Sequence, residues 1–296
     1  MGMGYTLAAR FPDFEIILKE TLREADASIG FSLSSLLHEG PAERLKETEI
    51  TQPALLAVST AMGRWLKSKG KICTMATGHS LGEYSALVHS EALRFTDAVN
   101  LVHLRGKLMQ TAIPLGEGGM VALLGASAEA VEKLCEAVQS EVGKVLEPSV
   151  FNSPGQIVAS GHSAAVDRAV ARAKEFGIRL ATKLDVSGPF HCSLLKSAGM
   201  ELRKALDLAE IQSPTFPVIF NVTAAKESIP NKIRENLERQ VSEAVRWEDC
   251  IRYASAQGVK DFVEVGSGKV LTGIIKKISP ELNCIALDTI ESLENI

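Results

Sequence analysis

Gly78-His79-Ser80-Leu81-Gly82 is a G-x-S-x-G pentapeptide, and a serine in that setting is a candidate nucleophile. A short apolar run from Ile72 to Ala76 precedes it and reads as a buried strand, and a helical pattern follows from near Leu81. A strand turning sharply into a helix holds its turn residue in a strained conformation. The flanking glycines let backbone approach closely on either side. The hydroxyl is left at the helix N-terminus, where the Leu81 N–H is placed to donate to a developing oxyanion. The bland alternative is a Gly-Ser turn capping an ordinary helix. The strand–turn–helix context favours the nucleophile.

A serine hydroxyl needs a base to take its proton, and the chain has six histidines. His79 adjoins Ser80, so its ring points away. His38, His89, His103 and His162 sit in helical or turn contexts and read as surface or capping residues. His191, in Ser187-Gly188-Pro189-Phe190-His191-Cys192, follows a strand through a Gly-Pro turn. That position, at a domain edge near a cleft, puts it ahead of the rest as the base. Cys192 reads as a buried thiol rather than a nucleophile. Arg105, in Leu101-Val102-His103-Leu104-Arg105-Gly106-Lys107, is either a solvated helical arginine or a bidentate grip on a carboxylate.

The elements that must position these groups alternate between strand and helix, which predicts an α/β fold with a parallel sheet covered on both faces. Helical periodicity covers 12–37, with Phe14, Ile17, Leu18 and Leu22 on one face, and a second helix runs from near Gln52 to a stop at Gly70. Another covers roughly Phe95 to Ala112. Residues 119–186 follow the order β-α-β-β-α-β and predict an inserted ferredoxin-like subdomain. Residues 1–118 and 187–296 then form the core domain, with the cleft between the two parts. Residues 230–257 read as largely helical, and the run from Val259 to Gly266 as a buried strand.

With 46% hydrophobic residues and a net charge of −4 over 296 residues, the chain can bury a large core, and nothing in its charge points to nucleic acid. No apolar run is long enough to span a bilayer, and no signal peptide is evident. The five scattered cysteines predict reduced thiols in the cytoplasm, and no spaced ligand cluster predicts a metal.

Taken together and in order, several segments resemble malonyl-CoA:acyl carrier protein transacylases and the related acyltransferase domains of polyketide synthases. They are Thr51-Gln52-Pro53-Ala54, Gly78 to Tyr84, Arg105-Gly106, Asn152-Ser153-Pro154-Gly155-Gln156, Phe190-His191 and Glu264 to Leu271, spread over almost the whole chain. The resemblance implies an α/β-hydrolase-like core domain, with Ser80 as nucleophile and His191 as base. It implies that the backbone carbonyl of Gln240 orients the histidine, that Arg105 pairs with the malonyl carboxylate, and that Gln52 lines the site. Phe190 would leave little room for a methyl branch. Malonyl-CoA would be a substrate, acyl carrier protein the partner, no cofactor would be needed, and the chain would act as a monomer. Such families usually open with a strand and a Gly-Gln-Gly-Ser-Gln loop ahead of a Gly-Met-Gly segment, whereas this sequence opens at Met1-Gly2-Met3-Gly4. The loop glutamine's N–H would supply half of the oxyanion hole, so a polypeptide starting at Met1 is expected to have weak or no activity. Two other readings stand beside this one: a serine esterase or thioesterase, with Asp185 as the nearest candidate third member, and a non-catalytic assembly protein.

Overall fold

The computed structural model describes residues 2–291. Helices α1 (Tyr5–Arg10), α2 (Pro12–Ile29), α3 (Leu33–Glu39) and α4 (Thr48–Ser68) lead to strand β1 (Ala76–Thr77), then to α5 (Gly82–His89) and α6 (Phe95–Thr111). The next stretch comprises β2 (Gly118–Leu124), α7 (Ala128–Val142), β3 (Leu146–Ser153), β4 (Gln156–His162), α8 (Ser163–Arg172) and β5 (Leu180–Lys183). The chain returns through α9 (Lys196–Leu208), β6 (Val218–Phe220), β7 (Ala225–Glu227), α10 (Pro230–Gln240) and α11 (Trp247–Ala256). It then runs through β8 (Asp261–Glu264), α12 (Val270–Ile278) and β9 (Asn283–Ala286).

The fold is mixed α/β, but its strands form several small sheets instead of one parallel sheet. β1 runs parallel to β6, which pairs antiparallel with β7; β8 and β9 form a separate parallel pair. The strand expected over 72–76 is only two residues long, and Ile72 is 89% exposed. Its partner explains this. Thr77 and Ala76 pair with Ile219 and Val218, and the residue before them, Pro217, has no N–H with which to extend the ladder. β8 is half-buried, pairing with β9 alone among the described residues. The helix expected over 12–37 is two: Gly30, at φ 75°, ends α2, and the Ser32 hydroxyl accepts the Ser35 N–H to begin α3. α4 starts at Thr48, four residues ahead of its expected start at Gln52, and 230–257 splits into α10 and α11.

Residues 118–183 form a four-stranded antiparallel sheet of order β3-β4-β2-β5, with α7 and α8. The two-residue period of its strands divides their side chains between two cores. Val121, Leu123, Ile157 and Ala159 face α7 and α8, whereas Met120 and Val158 join Trp247, Ile251, Ile274 and Ile278 from α11 and α12. The same boundary is tied by backbone: Phe151 N–H donates to Val245 O and Val245 N–H to Ser149 O, each at 2.9 Å. The largest apolar cluster packs α2, α4, α6 and α9 together. The elements that carry the candidate site, α4, the β1–α5 turn and α6, lie against this largest cluster.

Candidate active site

Ser80 stands at the turn between β1 and α5 in the left-handed region, with φ 51°. Non-glycine residues rarely adopt that conformation, and it aims the side chain away from the chain path. The turn is so tight that a Cβ on Gly78 would lie 1.8 Å from the Gly82 carbonyl carbon. Glycine is therefore obligatory at 78. At Gly82, by contrast, a Cβ would meet nothing within 4 Å, so close approach constrains only the first glycine of the motif. Asn221, just beyond β6, clamps the turn: its Oδ1 accepts the Ser80 N–H and its Nδ2 donates to Gly78 O, both at 2.8 Å. The Leu81 N–H lies ahead of the first turn of α5, where no intrahelical acceptor exists for it.

The Ser80 hydroxyl is 2.8 Å from Nε2 of His191. Nδ1 of that ring is 2.6 Å from the backbone carbonyl of Gln240. A carbonyl only accepts, so Nδ1 carries the hydrogen and Nε2 presents its lone pair to the serine proton. Burial, reinforced by the Arg105 charge, pushes the His191 pKa down to about 3, so the imidazole is neutral and ready to act as a base at ordinary pH. His191 is itself held at φ 62°.

Arg105 is 1% exposed, which rules out the solvated reading. Its Nη1 donates to Gln52 Oε1 at 2.7 Å, and its Nη2 donates to Gln240 Oε1 at 2.8 Å and to Ser80 Oγ at 3.0 Å. Its Nε has no partner, and its Cζ stands 5.9 Å from the Tyr84 ring centroid. Such a group, charged and incompletely paired in a buried place, is costly unless an anion answers it. Ser80, His191, Arg105, Gln52 and Gln240 are thus joined in one hydrogen-bonded group, with Leu81 next to Ser80 in the chain. Phe190 packs against both the largest apolar cluster and the cluster that Met120 and Val158 form with α11 and α12. Asp185 is exposed, and the Nδ1 that a triad carboxylate would take is already held by Gln240. Among the described residues no group of three or more His, Cys, Asp or Glu side chains is arranged to hold a metal ion.

Besides the Asn221 clamp, three contributions are absent from the sequence pattern. The Gln240 side chain donates to Ser80 O at 2.8 Å, so one residue grips the serine backbone, the histidine ring and the arginine. Glu83 is fully buried and accepts the Asn221 N–H, bracing the clamp from α5; burial lifts its pKa to about 8. His79 turns away from the serine and meets Asn152 Oδ1 at 3.0 Å, linking the turn to β3 of the neighbouring sheet. The one available signal was at Asn221, a polar residue closing an apolar parallel strand, where sites in open α/β sheets gather.

Residues 1–284 match the family model described as acyl transferase domain. A malonyl CoA-acyl carrier protein transacylase from Salmonella typhimurium is 45% identical over 291 residues, spanning 97% of this chain and 92% of that protein. The crystal structure of an acyl carrier protein S-malonyltransferase from Vibrio cholerae matches with a TM-score of 0.94 at 43% identity, covering 99% of this chain and 94% of that one. The structure described as a type II PKS acyl-carrier protein in complex with its malonyl-transacylase matches with a TM-score of 0.93 at 40% identity, covering 100% of this chain and 93% of that one.

Proposed function

Because the chain belongs to the acyl transferase domain family, and within it to the malonyl CoA-acyl carrier protein transacylases, we propose that it moves malonyl groups through an ester on Ser80. The enzyme is an acyl-carrier-protein S-malonyltransferase. His191 Nε2 takes the Ser80 proton as Oγ attacks the thioester carbonyl of malonyl-CoA. The resulting oxyanion is answered by the Leu81 N–H. The intermediate collapses, the C–S bond breaks, and coenzyme A leaves with the proton that His191 held. The phosphopantetheine thiol of the carrier protein then gives its proton to His191 and attacks the ester. Ser80 departs and recovers a proton from the same ring.

Arg105 exchanges its bond to Ser80 for the malonyl carboxylate while Gln52 and Gln240 hold the guanidinium in plane. Phe190 limits room for a branched acyl group. An acetyl group leaves the buried arginine unanswered and is disfavoured. The observation that carries the reading is the Ser80–His191 contact at 2.8 Å with the far ring nitrogen anchored on a carbonyl. We read 1–118 and 187–296 as an α/β-hydrolase-like core, supported by the serine turn between β1 and α5, and 119–186 as a ferredoxin-like subdomain, supported by its strand order and separate apolar cluster. We also place the enzyme in the cytoplasm, on the strength of its unpaired cysteines, as a monomer with all site residues on one chain, supplying fatty acid biosynthesis with no resident cofactor. The test is a chase. Enzyme acylated with malonyl-CoA and freed of it transfers the group to a pantetheinylated carrier protein faster than to water; an adduct lost only by hydrolysis would instead support the thioesterase reading.

A further inference from the structure

α4 and α6 meet at the first turn of α4, beside the glutamine that holds Arg105. Pro53 lies inside α4 and has no N–H, so the Glu49 carbonyl four residues earlier lacks its helical donor. His103 on α6 replaces it: Nδ1 is 2.9 Å from Glu49 O, and because that carbonyl only accepts, the ring nitrogen is the donor. The ring also rests on Phe31, with centroids 5.5 Å apart. Two further α6 residues hold the same turn. A Cβ on Gly106 would come within 2.6 Å of Glu49 Cα and of Thr48 O, and Gln110 Oε1 accepts the Thr48 N–H at 3.1 Å. Positions 103, 106 and 110 share one helix face. The turn they fix immediately precedes Gln52, whose Oε1 receives Arg105 Nη1 at 2.7 Å.

We propose that His103 is a positioning residue for malonyl selection: its ring N–H stands in for the hydrogen that Pro53 lacks and thereby sets Gln52 against Arg105. The inference rests on reading Arg105 as the carboxylate anchor. The experiment compares acylation by malonyl-CoA and acetyl-CoA in wild type, His103→Phe, Pro53→Ala and the double variant. His103→Phe keeps the packing on Phe31 and removes the donor. It lowers the malonyl:acetyl ratio of kcat/KM about five- to tenfold, the size of one lost hydrogen bond, chiefly by raising KM for malonyl-CoA. Pro53→Ala returns an N–H to Glu49 O, so in that background His103→Phe changes nothing further. An unchanged ratio in folded His103→Phe, or a ratio in the double variant below that of Pro53→Ala alone, overturns the proposal. Should His103→Phe fail to fold, the comparison between Pro53→Ala and the double variant decides by itself. Arg105→Ala runs alongside; an unchanged ratio there would fault the anchor reading and not the brace.

Discussion

Replacing Arg105 with alanine should alter both substrate choice and the acid limb of the reaction. The guanidinium is held by Gln52 and Gln240 at 2.7 and 2.8 Å, and one of its nitrogens reaches the Ser80 hydroxyl at 3.0 Å. A malonyl carboxylate received by that fork gains two charge-assisted hydrogen bonds, each worth roughly 1.5–3 kcal/mol. Their loss, at about 1.4 kcal/mol per decade, lowers the malonyl:acetyl ratio of kcat/KM by roughly 10²–10⁴. The arginine charge is also the second cause, after burial, of the depression of His191 to about 3. Without that charge the histidine pKa rises, while burial still holds it below its ordinary value of 6.5. Below its pKa the ring is protonated and cannot accept the serine proton, so the acid limb of acylation moves up into the window between about pH 3 and 6.5. Quenched-flow acylation read by intact mass, with both thioesters across that window, measures the two effects together. An unchanged ratio, or an acid limb that stays put or moves down, refutes the reasoning.

Glu83→Gln keeps an acceptor for the Asn221 N–H but cannot ionise. The wild-type carboxyl is raised from 4.5 to about 8, so its contribution to stability is full below pH 4.5 and is lost as pH rises toward 8. Unfolding free energies from urea titration should therefore diverge in favour of the variant on going from pH 5 to pH 8, by an amount on the order of a few kcal/mol; a difference independent of pH would contradict the assignment. Gly78→Ala forces a Cβ to within 1.8 Å of the Gly82 backbone and should cost about 3 kcal/mol or more. Wild-type stability in that variant would show that the turn is looser than described.

The serine turn was legible because its chemistry is local: a glycine, a serine and the strand-to-helix switch lie within a few residues. The order of strands and helices over 118–183 was legible for the same reason, since its alternating strands and amphipathic helices carry their own periods. Spacing on the chain said little about the rest. Gln240 meets the Ser80 carbonyl across 160 positions, and Asn221 meets the Ser80 N–H across 141; no local pattern encodes such pairs. His191 stood out from the other histidines by position alone, and the resemblance to a family, not the spacing, joined it to Ser80 and Gln240. The run over 72–76 was misread because its length depends on Pro217 of another strand. The break at Gly30 was visible as glycine followed by serine, but the apolar period continues past it and concealed the stop.

Acyl transfer by this route requires that Ser80 Oγ carry the acyl group. Mixing the protein with malonyl-CoA and measuring intact mass should show one added malonyl group on the wild type, mapping to the peptide containing Ser80, and none on Ser80→Ala. A malonyl adduct persisting on Ser80→Ala, or one mapping to Cys192 or another residue in the wild type, would contradict it.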